Sequence, residues 1–348
     1  MGLPRRRHLE AIAGAGMLAP VVTAGMPLWY VSAATRWLAQ RPWVAPQPFP
    51  RPLVEYSPLL GIRPRRNLDT YGQAEEVFRV RTDPHGRRHA RSLADAAVVA
   101  FGDSFAFGYG VDDDDCFTEH CGDLTVKSVA SPAHSMVHGL LMMQETADQL
   151  RGKTALWFIY CGNDLTDNLH PNLGATRVPF VRTGRDGQPH VTTEHVCAEP
   201  WAFSSPPRDN DRLFAEVCTP SVLQDRAFSA ADYLISEAST VCASAGARLV
   251  VVAIPPTAQV LDAQQLAALG SRPEAVDLDS AERFLAQSAR SRNAGFLALR
   301  RHLTRRHYWR HDMHWNPRGH RAVGHAVARS LRAPTRERGD RPAHAAAP

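Results

Sequence analysis

Five short apolar runs, at residues 97–101, 126–129, 155–160, 249–254 and 296–299, constrain this chain more than any other feature. Each has the length of a β-strand, and the first, third and fourth stop at chain-breaking residues: Gly102, Cys161-Gly162 and Pro255-Pro256. Strands that are apolar on both faces need cover on both sides. Helical patterns between them supply it. Ser135 can cap a helix to residue 150 and Ser221 one to residue 245. Asp279-Ser280-Ala281-Glu282 has the form of a capping box opening a helix to residue 290, and Asn316-Pro317 opens a last helix to residue 331. This alternation predicts a parallel sheet between two helical layers, with reactive groups at the carboxyl ends of the strands.

The 348 residues leave room for one large domain or two small ones. With 44% hydrophobic and 22% charged residues the chain is globular, too apolar for disorder. Its net charge of +5 lies largely at the ends, in Arg5, Arg6 and Arg7 and in Arg332, Arg336, Arg338 and Arg341, so no nucleic-acid partner is expected. Lys127 and Lys153 are the only lysines, a bias ascribed to genome composition. No Gly-rich phosphate loop or dinucleotide fingerprint occurs, and no cofactor is expected.

Arg5-Arg6-Arg7-His8-Leu9 precedes an uncharged stretch at residues 11–35, diluted by Gly14, Gly16, Gly25, Pro20 and Pro27. Charge on the near side alone predicts the N-terminus inside and the remainder outside. Residues 1–40 therefore read as an uncleaved membrane anchor or as an export signal with a small-residue site at Val31-Ser32-Ala33, and the arginines weakly resemble a twin-arginine signal. The competing reading is a buried helix of a cytosolic protein. Residues 41–95 read as a Pro-rich linker and a short lead-in with a strand at 77–81, and 96–332 as the catalytic domain. Residues 169–218 form a polar insertion with little apolar content, and 333–348 a disordered tail. Outside the cytoplasm some of the six cysteines can pair; Cys197 and Cys218 are the best candidates and Cys161 the poorest, since it should be buried beside the site.

Three clusters carry chemistry. Gly102-Asp103-Ser104-Phe105 follows the first strand, where a sharp turn holds a serine exposed beside backbone N–H groups. Gly162-Asn163-Asp164 follows the third, placing an amide donor in the same crevice. His311-Asp312-Met313-His314-Trp315-Asn316-Pro317 precedes the last helix, and an Asp two residues before a His can orient its imidazole. Each is by itself an ordinary turn or surface loop; their joint order after the right strands is what points to a site.

These residues resemble the SGNH (GDSL-type) hydrolase family. Residues 98–105, continuing through Gly108-Tyr109-Gly110-Val111, are similar to its first block, Gly162-Asn163-Asp164 to its third, and Asp312 and His314 with Trp315-Asn316-Pro317 and Gly319-His320 to its fifth. The resemblance implies a flavodoxin-like three-layer α/β/α sandwich with a parallel sheet of about five strands. It also implies a triad of Ser104, His314 and Asp312. Oxyanion donors would be the Ser104 and Ala130 N–H groups and the Asn163 amide, with Gly102, Asp103, Gly162 and Asp164 in support. The family's second block usually has Gly where Ala130 stands, and many members place three residues, not two, from Asp to His. The shorter spacing followed by Trp-Asn resembles the branch that includes alginate O-acetylating enzymes.

The leading expectation is a serine esterase acting outside the cytoplasm on an ester substrate. The first alternative is O-acyl transfer onto a cell-surface glycan; the second is a non-catalytic envelope protein that binds glycan. Asp112 to Asp115 read as a solvated loop whose last member caps a helix. The histidines at 302, 307, 311, 314, 320 and 325 show no zinc spacing, so no metal is expected, and Met136, Leu140, Met142 and Met143 read as core.

Overall fold

The computed structural model describes residues 53–88, 92–173, 176–194, 196, 214, 217–261 and 277–332. The candidate export segment at 11–35, Cys197 and the tail after residue 332 lie outside the described residues. Among the described residues no helix is long and apolar enough to cross a membrane.

Two antiparallel hairpins come first: β1 (Val54–Ser57) with β2 (Gly61–Pro64), and β3 (Asp69–Gln73) with β4 (Val77–Arg81). The strands β5 (Val98–Phe101), β6 (Val126–Ser128) and β7 (Thr154–Tyr160) follow. The short pairs β8 (Asn172–Leu173) with β9 (Thr176–Arg177) and β10 (Phe180–Thr183) with β11 (Pro189–Thr192) lie in the insertion. The last strands are β12 (Arg248–Ile254) and β13 (Gly295–Ala298).

The apolar runs build one five-stranded sheet in the order β13-β12-β7-β5-β6, every neighbouring pair parallel. This is the doubly wound, flavodoxin-like order. Its direction reverses between β5 and β7, and the crevice at their carboxyl ends is where such folds hold ligands.

Among the described residues six α-helices accompany the sheet: α1 (Ser104–Phe107), α2 (Met136–Glu145), α3 (Asp164–Asp167), α4 (Val222–Ala245), α5 (Ser280–Ser291) and α6 (Pro317–Arg332). The two-residue period of the strands divides their side chains. Val99, Phe101, Ala155, Trp157, Ile159, Val251 and Ala253 join one core with α2, α4 and α5. Val98, Ala100, Leu156, Phe158, Tyr160, Val250, Val252 and Ile254 join the other with α6. The second core also takes Leu53, Val54, Ile62, Phe78 and Val80, so the hairpins of the lead-in are part of that layer.

Four local expectations are corrected. The insertion is not poor in apolar anchors, for Val181, Phe214, Val217 and Cys218 are buried in the first core. Asp279 precedes α5 as expected, but its side chain makes no cap and pairs with Arg300 instead. Asp113 is not solvated: it is 4% exposed and ion-paired to Arg81 and Arg88, while Asp112 accepts the Arg79 N–H at 2.6 Å. Ser135 precedes α2 as expected, but the α-helix ends at Glu145 rather than residue 150, and two other caps match expectation. Ser221 Oγ accepts the Gln224 N–H at 3.1 Å, and Asn316 Oδ1 accepts the Gly319 N–H at 3.1 Å.

Two buried histidines, one in the loop before α2 and one in its first turn, tie that end of the helix to the first hairpin. His134 Nε2 bonds the Ile62 carbonyl and His138 Nε2 the Leu60 carbonyl, each at 3.0 Å, with the rings stacked 4.4 Å apart. Burial pushes the His134 imidazole down from 6.5 to about 4, against the opposing pull of the Ile62 carbonyl, and holds His138 well below its ordinary value. Both are neutral in the folded state, whereas the unfolded chain takes up protons below about pH 6.5. Stability present above that pH is therefore lost as pH falls towards 4, by roughly 3 kcal/mol for His134 alone. Urea midpoints measured between pH 7 and 4 should fall more steeply in the parent than in His134→Gln; parallel curves would refute the assignment.

Candidate active site

β5 is followed by Gly102, whose φ of +148° and close approach to the Phe158 carbonyl, 2.9 Å from a would-be Cβ, suit glycine alone. The turn delivers Ser104 as the first residue of α1, with Asp103 as its cap: Oδ1 of Asp103 accepts the Phe105 N–H at 2.9 Å. As a first-turn donor, the Ser104 N–H has no acceptor within the helix.

His314 comes from the other end of the chain, on a loop closed by the antiparallel bridge between Tyr308 and Trp315. Ser104 Oγ stands 2.7 Å from His314 Nε2, and His314 Nδ1 stands 2.5 Å from Asp312 Oδ1. The same carboxylate oxygen accepts the His314 backbone N–H at 2.8 Å, a contact that the two-residue spacing makes available. Burial pushes the Asp312 carboxyl up, but the hydrogen bond and charge of His314 outweigh it and hold it below the ordinary carboxylate value. The imidazole is walled by the rings of Phe105 and Tyr109, each centred 4.9 Å away.

The other expected donors follow the neighbouring strands β6 and β7. Ala130 follows β6 and is buried; its N–H bonds Ser128 Oγ at 3.3 Å. Ala130 is absent from the positive-φ residues, which among the described non-glycines are Asn67, Ala133 and Asn293. Alanine therefore carries no backbone strain where the family's glycine is usual. Asn163 follows Gly162, which sits so close to Tyr160 that a Cβ would lie 2.3 Å from its ring. The Asn163 amide donates to Asp167 Oδ2 at 2.6 Å, which fixes its orientation and leaves its second N–H for another acceptor. Asp167 was not singled out from the sequence; its position four residues after Asn163, one helical turn on, was the available signal.

Asp103 and Asp164 are a buried acidic pair under the site. Burial pushes Asp103 up to about 6 despite the opposing charge of His314, and burial together with Asp103 pushes Asp164 well above the usual carboxylate range. Asp164 Oδ2 accepts the Tyr160 N–H at 2.9 Å, tying the end of β7 to α3. Cys161 is buried at the same strand end, its thiol pushed up by burial. Cys218 is buried too, while its suggested partner Cys197 lies outside the described residues. Among the described residues no group of three or more His, Cys, Asp or Glu side chains is arranged to hold a metal.

Residues 209–347 match the family described as SGNH hydrolase-like domain, acetyltransferase AlgX. The carboxyl-terminal part of the chain is thus similar to an SGNH hydrolase-like domain. The matched segment contains Asp312 and His314; Ser104 and Asn163 lie before it. No curated protein matches the chain in sequence. Similar solved structures include a carbohydrate acetylesterase from Sinorhizobium meliloti, at 14% identity over 68% of this chain and 98% of that one, with a TM-score of 0.38. The inhibitor-bound aryl esterase of M. smegmatis is 11% identical over 68% and 98% of the two chains, with a TM-score of 0.39. A GDSL-like lipase from Bacteroides thetaiotaomicron VPI-5482 is 10% identical over 70% and 91%, with a TM-score of 0.38.

Proposed function

We propose that this SGNH hydrolase-like chain is a serine esterase that works through an acyl-enzyme on Ser104. The observation that carries the reading is the continuous chain of contacts from Ser104 Oγ through His314 to Asp312, at 2.7 and 2.5 Å. Ser104 Oγ attacks the acyl carbonyl as its proton passes to His314 Nε2, and Asp312 holds the tautomer that leaves Nε2 as acceptor and stabilises the imidazolium. The negative charge on the carbonyl oxygen is met by the Ser104 and Ala130 N–H groups and the free Asn163 N–H. Collapse breaks the ester bond, and the leaving alcohol takes the proton from His314. Water then attacks the acyl-serine with His314 again as base, releasing the acid and restoring Ser104.

The second reading replaces that water with a hydroxyl of a cell-surface glycan, giving O-acyl transfer. The family match to an acetyltransferase domain and the Asp312-to-His314 spacing favour it. The arginines before the uncharged 11–35 segment support action outside the cytoplasm, membrane-anchored or secreted.

A serine-reactive phosphonate should label Ser104 and no other residue, as read by peptide mass mapping; an unlabelled Ser104 would remove the reading. Product analysis with an activated ester and candidate glycans then separates the two fates, released acid for hydrolysis and acylated sugar for transfer. Asn163→Ala should lower kcat by roughly 10²- to 10³-fold while KM changes little, the usual loss for one oxyanion donor. An unchanged kcat would take the amide out of the oxyanion hole.

A further inference from the structure

The β3–β4 hairpin, far from the acid–base loop in sequence, touches that loop and the nucleophile's loop together. Glu75, in the turn of the hairpin, accepts the backbone N–H of His311 through Oε2 at 2.6 Å, across 236 residues of sequence. His311 is the residue before Asp312. One residue position from the turn, the Gln73 carbonyl accepts the Tyr109 hydroxyl at 2.6 Å, and the Tyr109 ring packs on His314. Trp309 closes the gap between these contacts: its Nε1 lies 3.0 Å, and Ala74 Cβ 3.6 Å, from where a Cβ on Gly110 would be. On its outer strand the hairpin is bonded to the nucleophile's loop, through the Arg79 N–H to Asp112 and through Arg81 to Asp113.

We infer that Glu75 is a positioning residue: by holding the His311 N–H it sets the height of the Asp312 carboxylate against His314, so the hairpin completes the acid–base half of the site from outside the sheet. The inference rests on the proposed triad and extends it to a residue that neither the family match nor the motif blocks contain. The physical need is plain. The loop from Tyr308 to Trp315 is closed by a β-bridge and by the Trp309 N–H to the His314 carbonyl at 3.0 Å, and Arg305 holds the Arg310 carbonyl at 2.8 Å; Glu75 adds a hold on the next residue from outside the loop. A carboxylate accepting a backbone N–H is a charge-assisted bond, and it fixes the loop one residue from the group that must be placed. Neighbouring Glu76 has the same charge, and its backbone carbonyl, not its side chain, closes the turn with the Ala74 N–H at 3.0 Å.

The test compares Glu75→Ala, Glu75→Gln, Glu76→Ala and Ser104→Ala by steady-state kinetics on an activated ester, with melting temperatures alongside. Misplacing a catalytic group by a fraction of an ångström to 1 Å costs roughly 10- to 100-fold, so Glu75→Ala should lose that much kcat with KM held within about twofold. Glu75→Gln keeps an acceptor oxygen at the same reach and should recover most of the loss. Glu76→Ala should match the parent, and all three glutamate variants should melt within a few degrees of it. A Glu75→Ala enzyme with parental kcat overturns the inference. So does a loss that Gln fails to restore, or one that Glu76→Ala shares. If Ser104→Ala itself keeps activity, the triad falls first and independently; if Ser104→Ala is dead while Glu75→Ala is parental, only the positioning role fails.

Discussion

Ser104→Ala lowers kcat on an activated ester by roughly 10⁴- to 10⁶-fold while leaving substrate binding close to parental. The expectation follows from the 2.7 Å contact between Ser104 Oγ and His314 Nε2. On the proposed mechanism the oxyanion donors still act on a bound ester without the nucleophile, so a small residue of turnover should persist by direct water attack. His314→Ala should fall to about the same floor, and the double variant no further, because the two groups act as one unit. Independent, multiplying losses would show that Ser104 and His314 serve different steps.

Arg88→Ala should cost about 3–5 kcal/mol of folding stability, the usual penalty for stripping one partner from a buried ion pair. The Arg88 side chain is fully buried, its Nε donating to Asp113 at 2.8 Å. Its remaining N–H groups go to backbone carbonyls of Phe107, Gly108, Val111 and Arg79. One guanidinium thus satisfies the turn after α1 and the edge of β4 together. Arg88→Lys keeps a charge but loses the planar fork and should retain most of the loss. Urea unfolding followed by tryptophan fluorescence measures both; a change below about 1 kcal/mol for Arg88→Ala would mean that the carbonyls find other donors.

The sheet was legible because its strands are covered on both sides and so read as continuous apolar runs; their ends fell within a residue of the expected ones. The three chemical clusters were legible because each sits at a strand end or a helix cap, where local spacing decides the geometry. Contacts made by side chains with distant backbone were not. Asp113 looked solvated in a run of four aspartates, because its partners Arg81, at the end of β4, and Arg88, in the segment after it, lie 25 to 32 residues upstream. His134 and His138 looked unremarkable because their acceptors are carbonyls 72 and 78 residues earlier. Of the lead-in, only β4 showed an alternating pattern; β1 and β2 are only four residues long, and β2 and β3 contain Gly or Pro. Ala130 needed a backbone angle, not a residue type, to settle its fit.

Ser104 and His314 stand 210 residues apart in sequence. During synthesis the amino-terminal part of the domain emerges first. A nascent chain that has reached β12 can already hold Ser104 at the end of β5, but it has no imidazole, no Asp312 and no α6 to seat them. The serine remains an ordinary alcohol until the last helical turns leave the ribosome. On the proposed mechanism acyl chemistry is thereby withheld from every incomplete chain, and a truncation between β13 and residue 314 keeps all five strands of the sheet and lacks the base.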